Sequence, residues 1–110
     1  MIETMVRDYL SRALTEPIYL EVPEQAPESF VTLEKTGSGA VDLICRATLA
    51  VQSYAPTLYA AAQLNERVKA ALAHMPDTEY IASAKLNSDY NFTDTVSKRY
   101  RYQAVFDFIY

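Results

Sequence analysis

The chain contains one histidine, His74, and one cysteine, Cys45. A histidine-assisted nucleophile needs a base beside it and an acid that orients the base. His74 falls in the last turn of an apolar-striped segment, where a cation at a helix C-terminus is mildly favourable. Cys45 falls on the apolar side of an alternating run. The spacing therefore predicts a surface histidine and a buried, inert thiol rather than a reactive pair. Carboxylates gather at Glu21, Glu24 and Glu28, with Glu34 further on. No histidine accompanies them and their spacing fits no metal pattern, so they read as a solvated acidic loop. "NSDYNFTD" offers oxygens at Asn87, Asp89, Asn91 and Thr93. A calcium loop wants glycine at its sixth position and glutamate at its twelfth, and here those are Phe92 and Lys98. "TGSG" lacks the lysine and following helix of a phosphate loop, and it reads as a hairpin turn. These residues predict no catalytic group, no metal and no cofactor.

The densest chemistry lies at the end of the sequence. "SKRYRYQAVFDFIY", from Ser97 to Tyr110, holds three basic residues and five aromatics. Basic charge interleaved with rings is the composition of a single-strand nucleic-acid platform, provided both face the same way. As a strand, however, the stretch places Tyr100, Tyr102, Ala104, Phe106, Phe108 and Tyr110 on one face. Arg99, Arg101, Gln103, Val105, Asp107 and Ile109 take the other. Rings and arginines are then back to back, with the rings turned toward the core. The arginine face also receives Val105, Ile109, Ile44, Ile81 and Tyr54 by parity. Arginine, tyrosine and isolated aliphatics on one surface are the make-up of a protein interface.

The elements that position these residues follow from hydrophobic period. Ile2, Met5, Val6, Tyr9, Leu10 and Ala13 form one helical stripe, Glu3 and Arg7 make an i,i+4 pair, and Pro17 ends the helix. "PIYLEVP" alternates between two prolines, as a short or edge strand does. "FVTLEK" and "VDLICRATLAVQS" read as a hairpin turning at Gly37–Gly39. Pro56 opens a second helix whose stripe is Leu58, Ala61, Leu64, Val68, Ala71, Leu72 and Met75. "EYIASAKLNSDYNF" puts Tyr80, Ala82, Ala84, Leu86, Tyr90 and Phe92 on one side, and the C-terminal stretch is the last strand. The order is α-β-β-β-α-β-β, an α+β domain. A mainly antiparallel sheet of about five strands carries two helices on one face, with no βαβ crossover between parallel strands. Small residues at Ala47, Ala82 and Ala84 allow close helix approach.

Length and composition agree with one domain over 1–110. Half the 110 residues are hydrophobic, 22% are charged, and nine are tyrosine. The net charge of −4 disfavours a dedicated nucleic-acid binder, whose affinity rests on phosphate neutralisation. One cysteine and no leader-like N-terminus suggest a cytosolic chain.

The helix "QSYAPTLYAAAQLNERVKAAL", the approach "LAVQSYAP" and the terminal "RYRYQAVFDFIY", set in this element order, resemble the tail terminator (tail completion) proteins of long-tailed bacteriophages and prophages. The resemblance spans nearly the whole chain. It implies a structural, non-enzymatic virion protein that assembles with itself as a hexameric ring. The ring caps the tail tube and joins it to the head connector, and DNA passes through the lumen without specific binding. The resemblance also implies location in the host bacterial cytoplasm during assembly, then in the virion tail or neck, with no membrane partner. A closed ring needs two different complementary patches per subunit. Arg46, Arg99, Arg101 and Gln103 on the outward sheet face are the candidates for one, and Glu21, Glu24 and Glu28 for the other. Another head–tail neck protein, a nucleic-acid module using the C-terminal hairpin, and a small enzyme or ligand-binding domain stand as alternatives.

Overall fold

The computed structural model describes residues 1–97 and 99–110, so Lys98 lies outside the described residues. The elements are α1 (Ile2–Ala13), β1 (Ile18–Tyr19), β2 (Phe30–Val41), β3 (Ile44–Ala55), α2 (Leu58–Ala73), α3 (Met75–Thr78), β4 (Ser83–Asn91) and β5 (Tyr100–Ile109). The expected α+β order holds, with the short α3 added. Five strands form one sheet in the order β1-β2-β3-β5-β4. Every neighbouring pair is antiparallel except β1 with β2. β3 and β4 both run antiparallel to β5, so they are parallel to each other with β5 inserted between them. The α2 connection is thus a split β-α-β unit, which corrects the expectation of no crossover. The order of strands in the sheet depends on where β5 inserts, and no local pattern records that.

One face of the sheet is dry. Ile2, Val6 and Leu10 of α1 and Ala61, Leu64, Val68 and Leu72 of α2 bury against it. All of these but Ala61 meet Val31, Leu33, Leu49, Val51, Ala104, Phe106 and Phe108 in a single cluster that also takes in Met75. Each such side chain contributes about 1.5–3 kcal/mol relative to exposure. Ala47 and Ala84 pack against this cluster as expected, whereas Ala82 is exposed and precedes β4. Polar ties join the layers. Tyr9 donates its hydroxyl hydrogen to the Ala71 carbonyl at 2.6 Å. Arg67 grips Glu16 through both guanidinium nitrogens at 2.9 and 2.6 Å, which holds the Glu16 carboxyl below the usual carboxylate range. Glu3 and Arg7 do not pair. Arg7 reaches Asp8 and Glu3 lies 4.0 Å from Lys35.

Four local expectations are corrected. The hairpin does not turn at Gly37–Gly39. It turns at Asp42–Leu43, whose φ values are 51° and 67°, while neither glycine has positive φ. β2 consequently runs through "TGSG", with a register shift between Lys35 and Gly37. β1 keeps only Ile18 and Tyr19, so Leu20 and Val22 leave the sheet. Pro56 lies before the helix. Thr57 is the N-cap, its hydroxyl accepting from the Ala60 amide at 3.1 Å. In β4 a register shift between Leu86 and Ser88 reverses the faces. Leu86 stays opposite Phe106, but Tyr90 stands opposite Gln103 and so joins the outward face with Phe92.

Beyond the helices the β2–β3 hairpin projects as an arm. From Glu34 to Ile44 every residue is exposed. The molecule is correspondingly elongated, 44 × 25 × 24 Å.

Candidate interaction surface

The second face of the sheet has no helix on it, and its side chains are organised in three zones. At the β1 end, Phe30 stacks on Tyr54 with ring centroids 4.4 Å apart, and Tyr19 meets Phe30 edge-on. The Arg101 guanidinium lies 4.5 Å from the Phe92 ring centroid and 5.7 Å from that of Tyr54. Its Nε donates to the Phe92 carbonyl at 2.6 Å and its Nη1 to the Tyr54 hydroxyl at 3.0 Å. A cation between two rings with its donors satisfied is a fixed strut rather than a free charge. Arg99 sits 5.9 Å from the same Tyr54 ring.

In the middle a ladder of side chains crosses four strands. Thr32 donates to Gln52 at 2.8 Å, Gln52 to Gln103 at 2.6 Å, and Gln103 to the Tyr90 hydroxyl at 2.6 Å. The ladder exists because cross-strand neighbours on one face lie close enough for amides to meet. Gln103 is only 8% exposed within it. The bulge in β4 brings Tyr90 into range.

At the arm end, Asp107 accepts from Thr48 at 2.7 Å and from Asn87 at 3.0 Å. Beside it a trough of about 540 Å³ opens over Gly37 and Gly39, flanked by Arg46 and Lys85. The glycines leave open space there: a Cβ built at either meets nothing within 4 Å. Among the described residues Arg46 and Lys85 make no ion pair.

The predicted interface residues are therefore distributed over two ends. Arg99 and Glu28 line one small hollow near Tyr54, and Arg101 and Glu21 line another. Arg46 is eight residues along β3 from Tyr54, roughly 26 Å at the rise of a strand. The three arginines do not form one patch, and Gln103 is internal to the ladder. Glu21, Glu24 and Glu28 are exposed and, among the described residues, unpaired. Sequence parity put Lys85 on this face without marking it as a site residue, and it missed Tyr90, Phe92 and Leu43. Two of these depend on the bulge, and Leu43 depends on the turn.

The remaining candidates are quickly placed. His74 caps α2 at the surface, its Nδ1 3.8 Å from Asp77. Cys45 is half-buried rather than buried, because the arm carries it past the helices. Asp89 turns toward α2, accepting from Asn65 and Lys69 at 3.0 Å each, a pairing that raises the Lys69 pKa. Asn91 accepts from the Thr93 amide and hydroxyl. The oxygens of "NSDYNFTD" thus point apart, and no metal set forms among the described residues. No described helix is long and apolar enough to cross a membrane.

No protein-family model matches this chain, and no curated protein matches it.

Proposed function

We propose that the protein is a structural virion assembly subunit, a phage tail terminator that caps the tail tube as a ring and joins it to the head connector. The element order and the segments "LAVQSYAP" and "RYRYQAVFDFIY" suggest it, and one structural observation supports it most. The sheet is covered on one face only, and the other face carries an ordered array of glutamines, tyrosines and arginines. In addition, β4 has no neighbour along its outer edge, which is a surface that monomers ordinarily blunt or cover. Such surfaces suit a subunit that completes itself by assembly. Light scattering with negative-stain imaging, alone and with tail tubes, tests the reading. A six-fold ring with a central hole is expected, and a chain that stays monomeric even on tubes overturns it.

A second reading gains from the β4 bulge. Phe92 and Tyr90 share the face of Arg101, so rings and a cation do lie on one surface. A single-strand binder would shift labelled DNA or RNA in a salt-sensitive way. The net charge of −4 and the engaged state of Arg101 weigh against it.

A further inference from the structure

The tip of the arm carries two oddities at one residue. Leu43 is 99% exposed, and it holds a left-handed backbone at φ 67°. That conformation favours glycine or asparagine, because a Cβ crowds the following carbonyl. A two-residue hairpin turn ordinarily places glycine there. This sequence instead accepts backbone strain in order to display an apolar side chain to water. Exposed Val41 and Ile44 flank it. Strain of this kind persists where it serves a contact.

The opposite end of the sheet offers a matching shape. A hollow of about 160 Å³ opens there, walled by Pro27, Phe30, Tyr54, Pro56 and Tyr100 and rimmed by Glu28 and Arg99. An enclosed apolar cavity of about 150 Å³ accepts a group the size of a benzene ring; this hollow is open and partly polar at its rim, and its volume is enough for a leucine side chain. Ile44 and Ala55 are the two ends of β3, so tip and hollow are about 36 Å apart at the strand rise and cannot meet within one chain.

Two pairs of charged side chains could add to this contact. Arg46 and Lys85, unpaired among the described residues, border the trough at the arm end, where Asp107 is already engaged by Thr48 and Asn87. Glu28 lines the hollow beside Arg99, and Glu24 lies four residues before it; both are exposed and, among the described residues, unpaired, whereas Glu21 sits further along the sheet near Gln52 and Arg101. Arg46 and Lys85 lie too far along the sheet to reach Glu24 and Glu28 within one chain, so a pairing of these groups would run between copies.

We infer that copies of this chain bind head to tail, with the Leu43 tip of one seated in the Tyr54–Tyr100 hollow of the next and Arg46 and Lys85 facing the Glu24–Glu28 loop. The inference rests on the reading of the chain as a self-assembling subunit, and it specifies the contact. A heterologous contact of this kind generates rings or filaments according to its rotation.

Sedimentation velocity on the full chain tests it with three variants. Leu43→Gly relieves the strain, so Tm rises by roughly 3–6 °C, while self-association weakens about tenfold to a hundredfold. A variant that folds better and associates worse cannot be explained by structural damage. Arg46→Glu with Lys85→Glu, and separately Glu24→Lys with Glu28→Lys, each stay monomeric, and an equimolar mixture of the two reassociates because each supplies the charge the other lacks. Association of Leu43→Gly equal to wild type, a mixture that stays monomeric, or a wild type monomeric at every concentration overturns the contact. Rings that persist in Leu43→Gly overturn the contact and leave the ring reading intact. Open filaments that depend on Leu43 do the reverse.

Discussion

Arg101 shows how a residue's type can be legible while its role is not. Its charge and outward parity follow from the sequence, and a free interfacial cation is the natural expectation. In the fold it lies between Phe92 and Tyr54 and donates to the Phe92 carbonyl and the Tyr54 hydroxyl. Tyr54 arrives from β3 and Phe92 from the residue after β4, the latter through a bulge. Arg101→Ala should therefore lower stability by about 1–2 kcal/mol, from a lost cation–ring contact and two lost hydrogen bonds. Arg101→Lys should recover little, since an ammonium has neither the planar stack nor the fork. Denaturant midpoints at unchanged slope measure both. An Arg101→Ala protein as stable as wild type would return Arg101 to the free surface.

At the element scale the decisive features are α2 and the two register shifts. The stripe of α2 was legible because its period is local, and Leu64, Val68 and Leu72 are buried as the spacing requires. Asn65 was not legible as a core residue. It is 1% exposed and donates to Asp89 across the helix–sheet boundary. Asp89 faces α2 only because the β4 bulge reverses parity. Asp89→Ala leaves the Asn65 amide buried without its acceptor and Lys69 with only one of its two carboxylate partners, Glu66. The expected cost is about 1–3 kcal/mol. In an Asp89→Ala/Lys69→Met double variant the effects should be non-additive, as they are for groups sharing one network. Additive losses in thermal unfolding would show that the three side chains act separately. The glycines of "TGSG" misled the turn assignment for a related reason. Glycine is the usual turn residue, but here it supplies flat, open strand beside the trough, while Asp42–Leu43 takes the left-handed positions.

For the whole molecule the contrast is between a packed body and a thin arm. The body pairs β3 and β5 over the core cluster, whereas Glu34–Ile44 is exposed throughout. Hydrogen exchange should reflect this, with slow amides in Leu49–Tyr54 and Gln103–Phe108 and fast amides from Ser38 to Ile44. On self-association at high concentration, protection should appear in the arm and in 26–30 and 54–56 together. Protection confined to the outer edge of β4 would point instead to strand-to-strand pairing of copies.

The sequence by itself determined the element types, their order and the inward faces of β2, β3 and β5, because hydrophobic period is a local property of a half-buried element. It also determined where charge accumulates. Only the tertiary structure decided that β5 lies between β3 and β4, that Tyr90, Phe92 and Asp89 exchange faces, and that the three arginines separate to opposite ends. Each of these depends on register and strand order, and a single extra residue in a strand moves every side chain beyond it to the other face.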